Sequence, residues 1–153
     1  AAPGFRSGWC VGPADFCTRA LPLSETMLFG NQPFIADMTE AAIRAPSPVA
    51  AGMVTRFSRR AVLLHEALDG VAGLGVSRPD AGMFALVDIR ATGLSGRDFA
   101  LGLLEHESVA VMPGESFGST LAGWVRVTLT QPDDVTRAAA DRIARHAASL
   151  QKV

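Results

Sequence analysis

The run Gly82-Met83-Phe84-Ala85-Leu86-Val87-Asp88-Ile89 decides how the rest of the chain is read. Side chains of a strand alternate between its two faces, so Phe84 and Leu86 share one face and Ala85 and Val87 the other. Both faces are apolar, which predicts a strand over Met83 to Ile89 at the centre of its sheet. Upstream, Met53, Phe57, Val62 or Leu64 and Leu68 form an apolar stripe at helical spacing. This predicts a long helix from Val49 to Leu68, ended by Gly70, with Arg56, Arg59 and Arg60 largely outside the stripe. Downstream, Ser95 resembles an N-cap for a helix from Gly96 to His106. Strands are expected at Val109 to Met112 and Trp124 to Leu129. Pro132 to Leu150 reads as a closing helix, with Asp133 and Asp134 at its positive end and Val135, Ala139, Ile143 and Ala147 on its buried face. The order helix, strand, helix, strand, strand, helix is a small α+β layer within the α/β class, with helices packed on one face of a short mixed sheet.

The chain before Val49 is different in kind. Phe5 to Val11 reads as a short strand among Gly4, Gly8 and Gly12, and Pro13 opens a short helix from Ala14 to Ala20. Leu21 to Asn31 is expected as loop. Pro33 opens a helix through about Ile43, with Phe34 and Met38 on one face, and Pro46 and Pro48 end it. One strand and two short helices cannot bury a core, so residues 1–48 read as the tail of another domain and residues 49–153 as a small domain.

The 153 residues carry a net charge of −1, with both signs interspersed. There is no basic stripe for nucleic acid, no polybasic membrane patch, and no apolar run near the roughly 18 residues of a membrane span. Ala1 to Gly12 lacks the charged start and apolar stretch of a signal peptide. Cys10 and Cys17 match neither a zinc knuckle nor a redox pair, and read as buried free thiols of a cytoplasmic protein. Lys152 is the only lysine, so chemistry that needs a buried amine must borrow it from elsewhere.

Gly114-Glu115-Ser116-Phe117-Gly118 fits the G-x-S-x-G nucleophile elbow, which needs strand, sharp turn and helix. Ser119 to Gly123 is too short and glycine-broken for that helix, and Asp134 and His146 fall on one helix, so a turn between strands is expected. His65, His106 and His146 lie on separate helices without a second ligand at i+3 or i+4, so no metal site is expected. Gly70, Gly73 and Gly75 are out of order for a dinucleotide fingerprint and read as helix stop and loop. Two arginines stand apart. Arg6 lies in Gly4-Phe5-Arg6-Ser7-Gly8-Trp9 and Arg126 in Trp124-Val125-Arg126-Val127-Thr128-Leu129. A guanidinium in a half-buried strand is costly unless an anion pairs with it. Its planar fork suits a phosphate or carboxylate, and an Asp or Glu of the same chain would serve equally.

Three segments resemble one family. Gly4-Phe5-Arg6-Ser7-Gly8-Trp9-Cys10-Val11-Gly12-Pro13 is similar to the segment that follows the cofactor-holding lysine in class I/II aminotransferases of fold type I. Met112-Pro113-Gly114-Glu115-Ser116-Phe117-Gly118 followed by Gly123-Trp124-Val125-Arg126-Val127 resembles a second signature. Arg78-Pro79-Asp80-Ala81-Gly82-Met83-Phe84 resembles the family's proline-glycine-aromatic turn. They occur in the family's order and spacing, over nearly the whole chain. Within the family, the segment from Gly4 to Pro13 and the run Gly82 to Arg90 look most like arginine–pyruvate transaminases.

The resemblance implies the C-terminal part of a pyridoxal 5'-phosphate enzyme: residues 1–48 as the tail of the large cofactor-binding domain, residues 49–153 as the small domain. Arg6 would bind the cofactor phosphate and Arg126 the substrate α-carboxylate. The catalytic lysine would lie upstream of Ala1, as would the tyrosine and aspartate partners of the pyridine ring, so this chain alone would be inactive. The implied substrates are an amino acid and a 2-oxo acid. The implied assembly is a cytoplasmic homodimer completed by the missing N-terminal part, with the segment around Met27, Leu28, Phe29 and Phe34 near the dimer interface. A non-catalytic module that pairs with another chain is the alternative.

Overall fold

The computed structural model describes residues 3–151, which fall into two compact units divided between Gly52 and Met53. Lys152, singled out above as the only lysine, lies outside the described residues.

In the first unit a 3-10 turn, Pro3–Phe5, leads into irregular, exposed chain up to Pro13. The strand expected over Phe5 to Val11 does not form. Arg6 adopts φ +51, a left-handed conformation that interrupts any extended run, and the glycines around it supply no side chain to pack. Helix α1 spans Ala14–Leu28. It continues through the stretch expected as loop, even though Pro22 removes one internal hydrogen bond. It ends where Phe29 and Gly30 turn left-handed. Helix α2, Pro33–Arg44, begins at its proline as expected. No residue of α1 or α2 is buried. Cys10 and Cys17 are exposed free thiols, which corrects the buried reading.

Helix α3 spans Pro48–Leu68. The second unit then builds a four-stranded sheet from β1 (Gly75–Ser77), β2 (Phe84–Asp88), β3 (Met112–Pro113) and β4 (Trp124–Thr128), in the order β1-β2-β4-β3. Every pairing is antiparallel, so the sheet is not mixed. The strand that opened the argument is interior, as its two apolar faces required. Strand β1 was missed because its three residues begin at Gly75, which reads as loop punctuation. Strand β3 is shorter than expected: Ser108 turns left-handed at the end of the preceding helix, and Pro113 has no N–H to extend the ladder.

Helices α4 (Gly96–Glu107) and α5 (Asp133–Leu150) complete the unit. Ser95 caps α4, its side chain accepting from the Asp98 N–H at 3.0 Å. Ala85 and Val87 of β2 and Val125 and Val127 of β4 enter one core with Leu64, Leu68, Phe99, Leu103 and Ile143 from the helices. Each of the larger side chains contributes about 1.5–3 kcal/mol by burial. The buried face of α5 is Thr136, Ala140, Ile143, His146 and Ala147, rotated from the expected one. Steps of four residues advance about 40° past a full turn, so the row from Val135 through Ala139 drifts off the face that Ile143 and Ala147 occupy. Thr136 can be buried because its hydroxyl donates to the Pro132 carbonyl at 2.9 Å.

Arg60 is a second correction. It is 8% exposed, not outside the apolar stripe. Its Nε donates to Asp133 Oδ1 at 2.8 Å and its terminal N–H to the Leu129 carbonyl at 3.0 Å. Arg59 adds a second bond to Asp133 at 2.6 Å, and the paired guanidiniums, Arg60 first, hold the Asp133 carboxyl below the ordinary aspartate range. The start of α5 is thereby tied to α3 and to the end of the sheet.

Candidate functional site

Strand alternation places Val125 and Val127 in the core and turns Arg126 to the opposite face of β4, where it is half-buried. The register sets Leu86 of β2 and Met112 of β3 directly across from it. Phe84 is therefore its diagonal neighbour on the same face, within reach of a long side chain. The Arg126 Cζ lies 4.0 Å from the centre of the Phe84 ring and 3.9 Å from that of Phe117. Among the described residues Arg126 has no ion pair and no hydrogen bond. Its cation is met by two aromatic faces, each attractive through its ring quadrupole, and its N–H edge is free.

Phe117 closes a 3-10 turn, Gly114–Phe117, that follows β3. Glu115 anchors this turn. Its Oε1 accepts from the Gly96 N–H at 2.8 Å, at the start of α4, and from the Gly123 N–H at 3.2 Å, just before β4. The residue's own backbone N–H first, then those of Gly96 and Gly123, hold the Glu115 carboxyl below the usual glutamate range, and a helix N-terminus favours the anion. Oε2 is buried without a partner. Gly114 is required for close approach, because a Cβ there would meet the Trp124 carbonyl oxygen at 2.7 Å and collide with that of Leu121.

The other candidates separate cleanly. Ser116 is exposed on the same 3-10 turn, which is followed by another 3-10 turn, Ser119–Leu121, and not by the helix of a nucleophile elbow. Among the described residues no base hydrogen-bonds to it. His146 is buried with its ring edge-on to Phe99 at 4.9 Å, and burial is the main cause that lowers its pKa, with His106 adding to the effect. No group of His, Cys, Asp and Glu could hold a metal ion among the described residues. Among the described residues no helix is long and apolar enough to cross a membrane.

Arg6 belongs to the first unit. It is exposed, without an acidic partner among the described residues, and follows Gly4, where an added Cβ would meet nothing within 4 Å. Gly8, two residues on, is equally open. The Ser7 hydroxyl lies 2.8 Å from that of Thr39 and accepts from Asn31 Nδ2 at 3.2 Å. A free guanidinium beside open glycines suits a phosphate dianion, so the donor set fits a phosphorylated cofactor.

Reading the sequence alone assigned no role to Phe84, Phe117 or Glu115. Phe84 could have been found from register, since pairing Leu86 with Arg126 makes it diagonal. Glu115 and Phe117 carry no comparable signal, because their partners come from a turn whose path is set by tertiary contacts.

Comparison with known proteins identifies the family. Residues 1–143 match the family model described as aminotransferase class I and II. An arginine–pyruvate transaminase of Pseudomonas aeruginosa is 43% identical over 150 residues, covering 98% of this chain and 38% of that protein. An aspartate aminotransferase of Musicola paradisiaca is 27% identical, covering 99% of this chain and 39% of that one. Among solved structures, an aromatic aminotransferase from Pyrococcus horikoshii superposes with a TM-score of 0.73 at 25% identity, over 98% of this chain and 40% of that one. A probable N-succinyldiaminopimelate aminotransferase from Thermus thermophilus gives 0.69 at 29% identity, over 89% and 36%. The chain thus spans well under half the length of these relatives, and its fold is the α/β architecture of the fold type I transferases. With the family model matched from residue 1 to residue 143, the chain belongs to the class I and II aminotransferases.

Proposed function

We propose that this chain is the C-terminal portion of a pyridoxal-phosphate-dependent aminotransferase that moves an amino group from an L-amino acid to a 2-oxo acid, with arginine and pyruvate as the donor–acceptor pair. The observation that carries the proposal is Arg126: a half-buried guanidinium with aromatic rings in place of an acid and its N–H edge unsatisfied. The anion that completes it is the α-carboxylate shared by amino acid and oxo acid. Two parallel N–H···O bonds would fix the α-carbon, which supplies part of the roughly 7–11 kcal/mol available from positioning. Arg6 binds the cofactor phosphate. The bound cofactor supplies the electron sink. The amine that holds it comes from the part of the protein preceding residue 1, and residues 1–48 complete the cofactor-binding domain. The arginine–pyruvate assignment is supported by the 43% identity to the Pseudomonas aeruginosa transaminase.

Homodimer formation belongs to the same proposal. Met27, Leu28, Phe29 and Phe34 are exposed in the first unit, and apolar patches of this kind favour association. Steady-state assays of the full-length, cofactor-loaded protein with matched amino and oxo acids test the reading. The highest kcat/KM is expected for L-arginine with pyruvate. A preference for L-aspartate would overturn the donor assignment, and transamination of no amino acid at all would overturn the function. In that second case the chain would be the non-catalytic module weighed above.

A further inference from the structure

Phe84 and Phe117 come from different elements, one from β2 and one from the turn after β3, yet both place a ring at stacking distance from the same guanidinium carbon. Among the described residues they make no ring contact with each other; the aromatic pairs are Phe99 with His146 and His106 with His146. Their centres lie 4.0 and 3.9 Å from the Arg126 Cζ, so two rings from different elements flank one guanidinium.

We propose that Phe84 and Phe117 are positioning residues that clamp Arg126 from both faces, leaving only its in-plane N–H edge to a ligand and so selecting a planar carboxylate over a tetrahedral oxyanion. The proposal rests on the reading of Arg126 as the carboxylate-binding residue and adds what makes that residue selective. A guanidinium can be approached along its edge, where the donors point, or over its face, where another cation-accepting group can stack. A ring stacked on each face would block rotation about the last side-chain bond and keep the edge in one orientation. A carboxylate has its two oxygens in one plane and lies between the rings. A sulfonate or phosphonate directs a third oxygen out of that plane, toward Phe84 or Phe117. Phe84 and Phe117 are 39% and 46% exposed, so a clamp built from them would still have surface to flank a ligand.

The test uses full-length, cofactor-loaded protein and two non-reacting probes of similar bulk, 2-methylpropionate and propane-2-sulfonate, with dissociation constants measured by calorimetry. Loss of one cation–π face predicts that Phe117→Leu and Phe84→Leu each weaken 2-methylpropionate roughly 3- to 30-fold. The preference for carboxylate over sulfonate should fall toward unity in both. Phe117→Tyr and Phe84→Tyr, which keep a ring, should restore affinity and preference. Cofactor content and far-UV circular dichroism report folding, and the Phe84 pair carries the comparison if Phe117→Leu does not fold. If both Leu variants bind and discriminate as the unaltered protein does while Arg126→Gln loses 2-methylpropionate, the clamp is overturned and the carboxylate reading stands. If Arg126→Gln binds 2-methylpropionate unchanged, the carboxylate reading itself falls, and the clamp with it.

Discussion

Arg126→Lys keeps the charge and removes the shape. Lysine carries a compact ammonium on a flexible stem, so it cannot donate two parallel bonds to one carboxylate, nor lie flat against two rings. The strand leaves little freedom to compensate, because Val125 and Val127 are fixed in the core on the other face. Truncating one partner of a desolvated, hydrogen-bonded charge pair costs roughly 2–5 kcal/mol. Because the cation is retained and Arg126 is only half-buried, the lower part applies, about 2–4 kcal/mol, or roughly 30- to 1,000-fold in kcat/KM at 1.36 kcal/mol per decade. The loss should be shared by every amino acid and every oxo acid, since all present the same α-carboxylate, and cofactor affinity should hold. The assay is kcat/KM across a panel of amino and oxo acids with the full-length protein, alongside a cofactor titration. If the variant loses cofactor and keeps its substrate profile, the roles of Arg6 and Arg126 are wrongly assigned. If neither changes, Arg126 is a structural residue.

Three further outcomes follow from the same geometry. Glu115→Ala leaves the Gly96 and Gly123 N–H groups unpaired and loosens the turn that presents Phe117; it should cost about 1–3 kcal/mol of stability in chemical denaturation and raise KM for carboxylate substrates, and unchanged values of both would refute the anchoring role. Asp133 has a depressed folded-state pKa, so its contribution to stability is present above the unfolded pKa and is lost as pH falls through the folded one; acid unfolding below about pH 4 should therefore be shifted to higher pH by Asp133→Asn or Arg60→Met, and coincident acid transitions in variant and unaltered protein would count against it. The 153-residue chain incubated alone with pyridoxal phosphate should yield no borohydride-fixed adduct by intact mass; labelling of Lys152 would show that the chain carries its own cofactor site.

Local patterning carried the secondary structure where one residue class decides an element. The two apolar faces of Phe84 to Asp88 placed β2 inside the sheet, and Ser95 marked the start of α4. It failed where a polar group is buried by partners distant in sequence. Arg60 reads as a solvated helix charge, since nothing near it announces Asp133 or the Leu129 carbonyl. Thr136 ranks below Val135 on any apolar scale, yet the Gln131 and Pro132 carbonyls just before the helix satisfy its hydroxyl and allow it inside. In the first unit, α1 runs on to Leu28 through most of the stretch expected as loop, and the strand expected over Phe5 to Val11 is not compatible with the left-handed Arg6. Arg126 was legible because a strand has period two: once Val125 and Val127 face the core, Arg126 must face away from it.

The arginines themselves separate structure from function. Among the described residues only Arg60 and Arg126 are other than exposed. Burying a guanidinium forfeits its hydration, and each of the two is compensated differently. At Arg60 the compensation comes from within the chain: a carboxylate takes its Nε–H and a backbone carbonyl a terminal N–H. Losing a partner there should destabilise the fold. At Arg126 two aromatic rings lie about 4 Å from the guanidinium carbon, and among the described residues its N–H donors have no acceptor. Aromatic rings hold a cation without neutralising it, so the charge and the N–H edge stay available to a ligand. An acid in the position of either ring would have made the fold more self-sufficient and the site closed to carboxylates. On the proposed reading, Arg60 on α3 is the structural arginine and Arg126 on β4 the binding one, so stability and carboxylate affinity should respond to different substitutions.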